Sequence, residues 1–350
     1  MDVINKIHSV VSDALHLGAS DIHFIPQEEH AVIRMRVDGK IKLRQTLPNN
    51  MMRKLISHLK FVSGMDIGER RRPQNRGINM RVGERTIRMR LSAFPSQPSE
   101  TLVMRLFLQK HEFSMKRLAL FPSQGKLLKD LISATSGLII ISGPTGVGKT
   151  TTLYSLLKER QNETNENVIT LEDPIEQPET HFLQMEVNEK AGVTYAAGLK
   201  NLLRHDPDII MLGEVRDHET AKMAVRAALT GHLVVTTVHS SSAIGVIKRL
   251  IDLNIPQGDL AEVLHAVVAQ RLVQLVCPFC PHGCSLYCGQ YRDRRRAALF
   301  EILYGEALRS SLTKTSFSNN TEGARVPSMA RNFNMAVALG YVYQTEHRSI

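Results

Sequence analysis

Tryptophan is absent from this chain of 350 residues, and aromatic side chains make up only 5% of it. A nucleic-acid groove of the stacking kind needs such rings, so base stacking finds little support despite a formal net charge of +10. No apolar run approaches the ~18 residues that span a bilayer, and residues 1–17 lack the continuous apolar stretch of a secretory leader. That opening reads instead as an amphipathic helix, with Val3, Ile7, Val10, Val11, Ala14 and Leu15 recurring at three- and four-residue steps. The expectation is a cytoplasmic protein whose contact with a membrane is at most peripheral. The N-K-x-D segment of guanine readers is also missing. Cysteine is scarce and confined to one place: Cys277, Cys280, Cys284 and Cys288 are the only four.

What is present is a phosphate-binding loop. Gly143-Pro144-Thr145-Gly146-Val147-Gly148-Lys149-Thr150 matches G-x-x-x-x-G-K-[ST] at every fixed position, and Thr151 follows it. Leu138 to Ser142 before it reads as a buried parallel strand, and Thr151 to Lys158 after it as a helix. The chemistry needs that order, because backbone N–H groups and a helix N-terminus must converge on phosphate oxygens. In such a loop Lys149 lies along the β- and γ-phosphates and the Thr150 hydroxyl ligates Mg²⁺. ATP with Mg²⁺ is the expected ligand.

Hydrolysis also needs a carboxylate to hold the metal and orient water. Asp208 to Gly213 is an apolar strand that delivers Glu214 to the sheet edge where α/β folds bind ligands. Glu214 is therefore the first candidate. Glu172-Asp173-Pro174-Ile175-Glu176, after the strand ending in Leu171, supplies Glu172 and Glu176 as further candidates; a helix cap or surface charge is the plainer alternative. Leu233 to Val238 lies between His232 and His239. His239, at the C-terminal end, is placed to meet the γ-phosphate, whereas His232 reads equally well as a structural residue.

The charge and periodicity divide the chain. Residues 1–108 read as a small α+β domain with strands at Asp21–Ile25, Ala31–Val37 and Thr101–Phe107, and a helix near Met51–Ser63. A hairpin at Asp38-Gly39 leads into Ile41 and Leu43, which alternate with Lys40, Lys42 and Arg44. Basic residues alternate with apolar ones from Arg34 to Arg105. That is first the polar face of a half-buried sheet, with a nucleic-acid patch as the other reading. Residues 109–121 form a linker. From 122 to 350, alternating strands and helices imply a parallel sheet covered on both faces, with Ser123 capping the first helix. In a chain without a secretion signal, the four cysteines favour a tetrahedral Zn²⁺ site over disulfides, with His282 a further contender. Buried thiols or a redox pair remain the alternative.

Together these segments resemble the secretion ATPases of type II secretion and type IV pilus assembly, over about residues 15 to 305. Thr170 to Glu176 is similar to their acidic box, Leu212 to Asp217 to their Walker B segment, and Thr230 to His239 to their histidine box. Gly18 to His23 and Gly68 to Gln74 resemble their N-terminal-domain signatures. Val147 stands where a serine is usual, Ser99-Glu100-Thr101 replaces a Gly-Glu-Arg turn, and Ser240-Ser241-Ser242 replaces a more polar segment. The resemblance implies a RecA-like ATPase domain preceded by a smaller PAS-like α+β domain. It also implies that Arg90 and Arg105 reach the nucleotide phosphates as catalytic residues. A homo-hexamer acting on an inner-membrane platform protein, at the cytoplasmic face of the membrane and without direct nucleic-acid binding, is the implied assembly. The cysteines fit the assembly branch rather than the retraction motors, and the short length fits the competence-pilus assembly ATPases of Gram-positive bacteria. A RecA-type nucleic-acid translocase is the rival from another class.

Overall fold

The computed structural model describes residues 3–107, 114–280, 288, 294–313 and 328–345. Met1–His111 and Phe279–Arg295 form one unit, and Glu112–Pro278 and Arg296–Ile350 the other. The cysteine-bearing stretch from Phe279 onward thus groups with the N-terminal unit. Charge divides along the same line. The first unit holds 22 Lys and Arg against 11 Asp and Glu, and the second holds 22 against 23.

In the N-terminal unit the amphipathic start becomes α1 (Val3–Leu17), which buries Ile7, Val10, Val11, Ala14 and Leu17. β1 (Asp21–Pro26), β2 (Ala31–Val37) and β3 (Lys40–Leu47) follow, then α2 (Asn49–Val62). β4 (Gln74–Val82), β5 (Arg85–Phe94) and β6 (Thr101–Phe107) complete an antiparallel sheet of order β3-β2-β1-β6-β5-β4. One sheet face and the helices share a core that includes Ile22, Phe24, Ile33, Met35, Met89, Leu91 and Met104. The other face is basic. Arg36 pairs with Asp21, Asp21 with Arg105, and Arg105 with Arg90, so one cross-strand row carries three arginines and one carboxylate.

Strand β3 departs from the expected pattern. The two-residue turn at Asp38-Gly39 sets Lys40 opposite buried Val37, which puts Ile41 opposite Arg36 and Leu43 opposite Arg34. Ile41 and Leu43 are therefore 47% and 58% exposed on the basic face. Arg44, on the other side of the strand, pairs with Asp13 of α1. The alternation is real, but the turn reverses its sense on this edge strand. Beneath the sheet, Lys60 of α2 is 0% exposed, and its ammonium donates to the Glu69 carbonyl at 2.7 Å and to Glu100 at 2.8 Å.

The second unit begins with α3 (Met115–Leu118), whose Met115 is buried, and α4 (Pro122–Ile132). Pro122 occupies the first turn of α4 behind Phe121, and no side chain caps it, so Ser123 does not serve as the cap. The order continues through β7 (Gly137–Ser142), α5 (Lys149–Thr164), β8 (Val168–Glu172), β9 (Leu183–Glu186), α6 (Tyr195–Leu202) and β10 (Ile209–Leu212). Then come α7 (His218–Leu229), β11 (Leu233–Val238), α8 (Ala243–Asp252), α9 (Gln257–Val263), β12 (Leu264–Gln274), β13 (Arg296–Tyr304), α10 (Gly305–Thr313) and α11 (Met329–Ala338). The sheet order is β13-β12-β7-β11-β10-β8-β9, parallel except for the antiparallel edge strand β13. Alternate residues of β7 feed two cores: Leu138 and Ile140 enter one, Ile139 and Ile141 the other. A strand buried on both faces reads as an unbroken apolar run for that reason. Among the described residues, no helix is long and apolar enough to cross a membrane.

Candidate functional site

The phosphate loop leaves the C-terminal end of β7 and enters α5 at Lys149, as the motif requires. Gly143 has φ 150°, and a Cβ there would lie 2.5 Å from the Gln270 carbonyl oxygen, so only glycine fits. Gly146 and Gly148 take the left-handed values φ 81° and 86°. Lys149 Nζ folds back on its own loop, donating to the Gly143 carbonyl at 2.8 Å and the Pro144 carbonyl at 3.1 Å. Burial holds its pKa below the ordinary lysine range; Glu176 opposes that shift and Arg271 reinforces it.

Parallel pairing brings the acidic and histidine segments to the same sheet edge. Leu212 lies opposite Leu171 on one side and Thr236 on the other, so Glu172, the last residue of β8, and Glu214 and His239, which follow β10 and β11, gather at the same sheet edge. The Glu214 carboxylate contacts the Arg216 guanidinium and lies 3.1 Å from His239 Nε2. Burial, with Lys149 and Arg216 adding to it, lowers the His239 pKa below the ordinary histidine value. Gly213 is also constrained, since a Cβ there would sit 2.9 Å from the Tyr195 hydroxyl. His232, at the other end of β11, contacts Ala227 O at 3.1 Å and Thr230 at 3.2 Å, a structural setting.

The two acidic-box candidates have different surroundings. Glu172 is 2% exposed, and its Oε1 accepts from Tyr154 at 2.6 Å, Thr170 at 2.7 Å and Gln184 at 3.3 Å. Burial raises its carboxyl pKa, and the hydrogen bonds from Tyr154, Thr170 and Gln184 pull it part of the way back. Glu176 is exposed and acts on Lys149 through charge. Thr170 and Arg216 were read only as members of their boxes, two residues from the carboxylates they contact; Tyr154 and Gln184 went unread, because they meet Glu172 only once α5, β8 and β9 are assembled. Arg90 and Arg105 belong to the N-terminal unit, where Arg105 donates to Asp21 at 2.9 Å.

Cys280 and Cys288, both in the N-terminal unit, have their sulfurs 3.7 Å apart, and Cys277 is buried in the other unit. A tetrahedral thiolate site with Zn–S of ~2.3 Å has sulfurs about 3.8 Å apart, so this pair suits zinc. Cys284 and His282 lie outside the described residues.

A phosphate loop ending one strand, with a histidine after the next strand and a carboxylate after the one beyond it, defines a P-loop ATPase with a RecA-like core. Residues 1–347 match the Type II/IV secretion system protein family. The chain is 44% identical over 344 residues to Competence protein ComGA of Bacillus subtilis, covering 98% of this chain and 96% of that one. It is 40% identical over 279 residues to Type II secretion system protein E of Pseudomonas aeruginosa, covering 79% of this chain but 55% of that longer protein. Among solved structures, the pilus retraction motor PilT with bound ADP aligns with a TM-score of 0.69 at 27% identity, over 98% of this chain and 96% of PilT. The ATPase DotB of Legionella pneumophila shares the fold, with a TM-score of 0.73 at 24% identity over 96% of this chain and 92% of DotB. The chain belongs to the Type II/IV secretion system protein family.

Proposed function

We propose that this ATPase is the motor of a type IV-like competence pseudopilus, working as a homo-hexamer on an inner-membrane platform protein at the cytoplasmic face of the membrane. The observation that carries this reading is the 44% identity to a competence protein, end to end on both chains. Within each site, loop N–H groups and Lys149 hold the triphosphate, and Thr150 and Glu214 would hold Mg²⁺, which would supply neutralisation of phosphate charge. Glu214 orients the attacking water, and His239 holds the Glu214 carboxylate in place. Glu172, whose burial raises its carboxyl pKa, is the second candidate to accept the proton of that water. Glu176 balances the lysine charge. Arg90 and Arg105 supply positive charge to the transferred phosphoryl group.

The test is genetic and biochemical. Deleting the gene is expected to abolish transformation by external DNA, with the wild-type gene restoring it and Lys149→Ala failing to do so. Lys149→Ala removes a charge-assisted phosphate contact, and most ATP affinity goes with it in a direct binding titration. ATPase activity of the purified protein that rises with added DNA would instead favour the nucleic-acid translocase.

We further propose that Cys277, Cys280 and Cys288, completed by Cys284, hold one structural Zn²⁺. Its role is to fold a segment too short to build its own core. Elemental analysis of protein purified without chelator is expected to find about one zinc per chain, and chelation to lower the melting temperature. Metal-free protein of unchanged stability and activity would remove zinc from the account.

A further inference from the structure

Strand β12 places two polar residues side by side in a run of buried apolar ones. Gln270 is 1% exposed and Arg271 5%, among Val267, Val268, Ala269 and Val273. Burying an amide is costly unless it is hydrogen-bonded, so its bonds say what it is for. β12 runs parallel to β7 with Ala269 opposite Ser142, which brings Gln270 level with Gly143 at the root of the phosphate loop. The Gln270 carbonyl oxygen occupies the space a side chain at Gly143 would need. Its Nε2 reaches across the loop and donates to the Val147 carbonyl at 2.7 Å. Oε1 is buried and has no hydrogen-bond partner among the described residues, and exchanging the two ends would set oxygen against oxygen at Val147. Arg271 braces the arrangement: Nη1 donates to the Gln270 carbonyl at 3.0 Å, and Nη2 to the Ser241 carbonyl at 2.8 Å, two residues after His239.

The Val147 carbonyl and the Gly148 N–H belong to one planar trans peptide, so they point in opposite directions. Holding the carbonyl on the β12 side turns the Gly148 N–H the other way, as an anion-binding loop requires. Gly148, at φ 86°, offers little steric resistance to rotation of that peptide, and a rotated peptide would present an oxygen to the phosphates. We infer that Gln270 is a positioning residue for ATP binding, locking the Val147–Gly148 peptide so that the phosphate loop is preformed. Hydrophobic pairing gives no reason for an amide in this strand; the orientation of one peptide does.

Two variants test this in the full chain. Gln270→Met keeps the volume and removes the donor. It is expected to weaken ATP and ADP binding alike, about three- to tenfold, the worth of one neutral hydrogen bond. KM should rise by the same factor with kcat at saturation within twofold, because a loop that binds both nucleotides equally acts before the transition state. The nucleotide-free melting curve stays near wild type, while the nucleotide-induced shift shrinks. Gln270→Glu has the same shape but adds an acceptor and a negative charge beside the phosphates, and weakens binding further. A folded Gln270→Met protein with wild-type KM and affinity overturns the inference, as does a lowered kcat with unchanged KM. Loss of the fold in both variants overturns it too, by making Gln270 a core residue.

Discussion

Glu214→Gln is expected to leave ATP bound and almost unhydrolysed. The amide matches the carboxylate in size, so contacts with Arg216 and His239 can re-form around it, while the charge that would hold Mg²⁺ and polarise water is gone. A positioned acid–base group is worth typically 10²–10⁴ in rate, and a drop in kcat of about that size is expected here. Direct titration with ATP should give an affinity within a few-fold of wild type. Measuring Glu172→Gln alongside assigns the roles. If Glu214→Gln turns over normally and Glu172→Gln does not, the buried carboxylate held by Tyr154, Thr170 and Gln184 is the essential one.

The second large effect is expected from the arginine row. Arg90 and Arg105 face each other directly across β5 and β6, and like charges so placed repel. Asp21 answers Arg105 but is also 3.7 Å from Arg36, and Arg90 makes no ion pair among the described residues. A row of three arginines and one carboxylate suits a face that meets an anion. Arg90→Ala or Arg105→Ala should therefore lower turnover far more than ATP affinity, since added positive charge matters most as charge develops on the phosphoryl group. Arginines in comparable roles are worth 10³–10⁵ in rate. Arg105→Ala also strips Asp21 of a partner, so Arg90→Ala is the cleaner of the two. Steady-state kinetics beside direct binding measurements decide the matter, and normal turnover in both variants would make the row a solvated sheet face.

How much of this was legible in the sequence follows from how local each signal is. The phosphate loop is written in eight consecutive residues, with glycines at the three positions where the backbone takes positive φ. The placing of Glu214 and His239 at one sheet edge was legible because each follows an apolar strand, and parallel sheets gather strand ends there. Gln270 was not, because its meaning depends on the register of β12 against β7, more than a hundred residues away in sequence. The exposure of Ile41 and Leu43 escaped for a related reason: a two-residue turn decides which face an edge strand presents, and alternation alone does not. Arg90 and Arg105 were visible as a spaced pair, but their direct opposition appears only when β5 and β6 are aligned.

The folded-back lysine changes what nucleotide binding consists of. Because Lys149 already donates to Gly143 and Pro144, an arriving phosphate does not find a bare ammonium awaiting its first partner. It exchanges two neutral acceptors for charged ones, so the gain is a difference between hydrogen bonds and not their sum. The same exchange runs backwards when product leaves: the loop's own carbonyls are ready to take the lysine back.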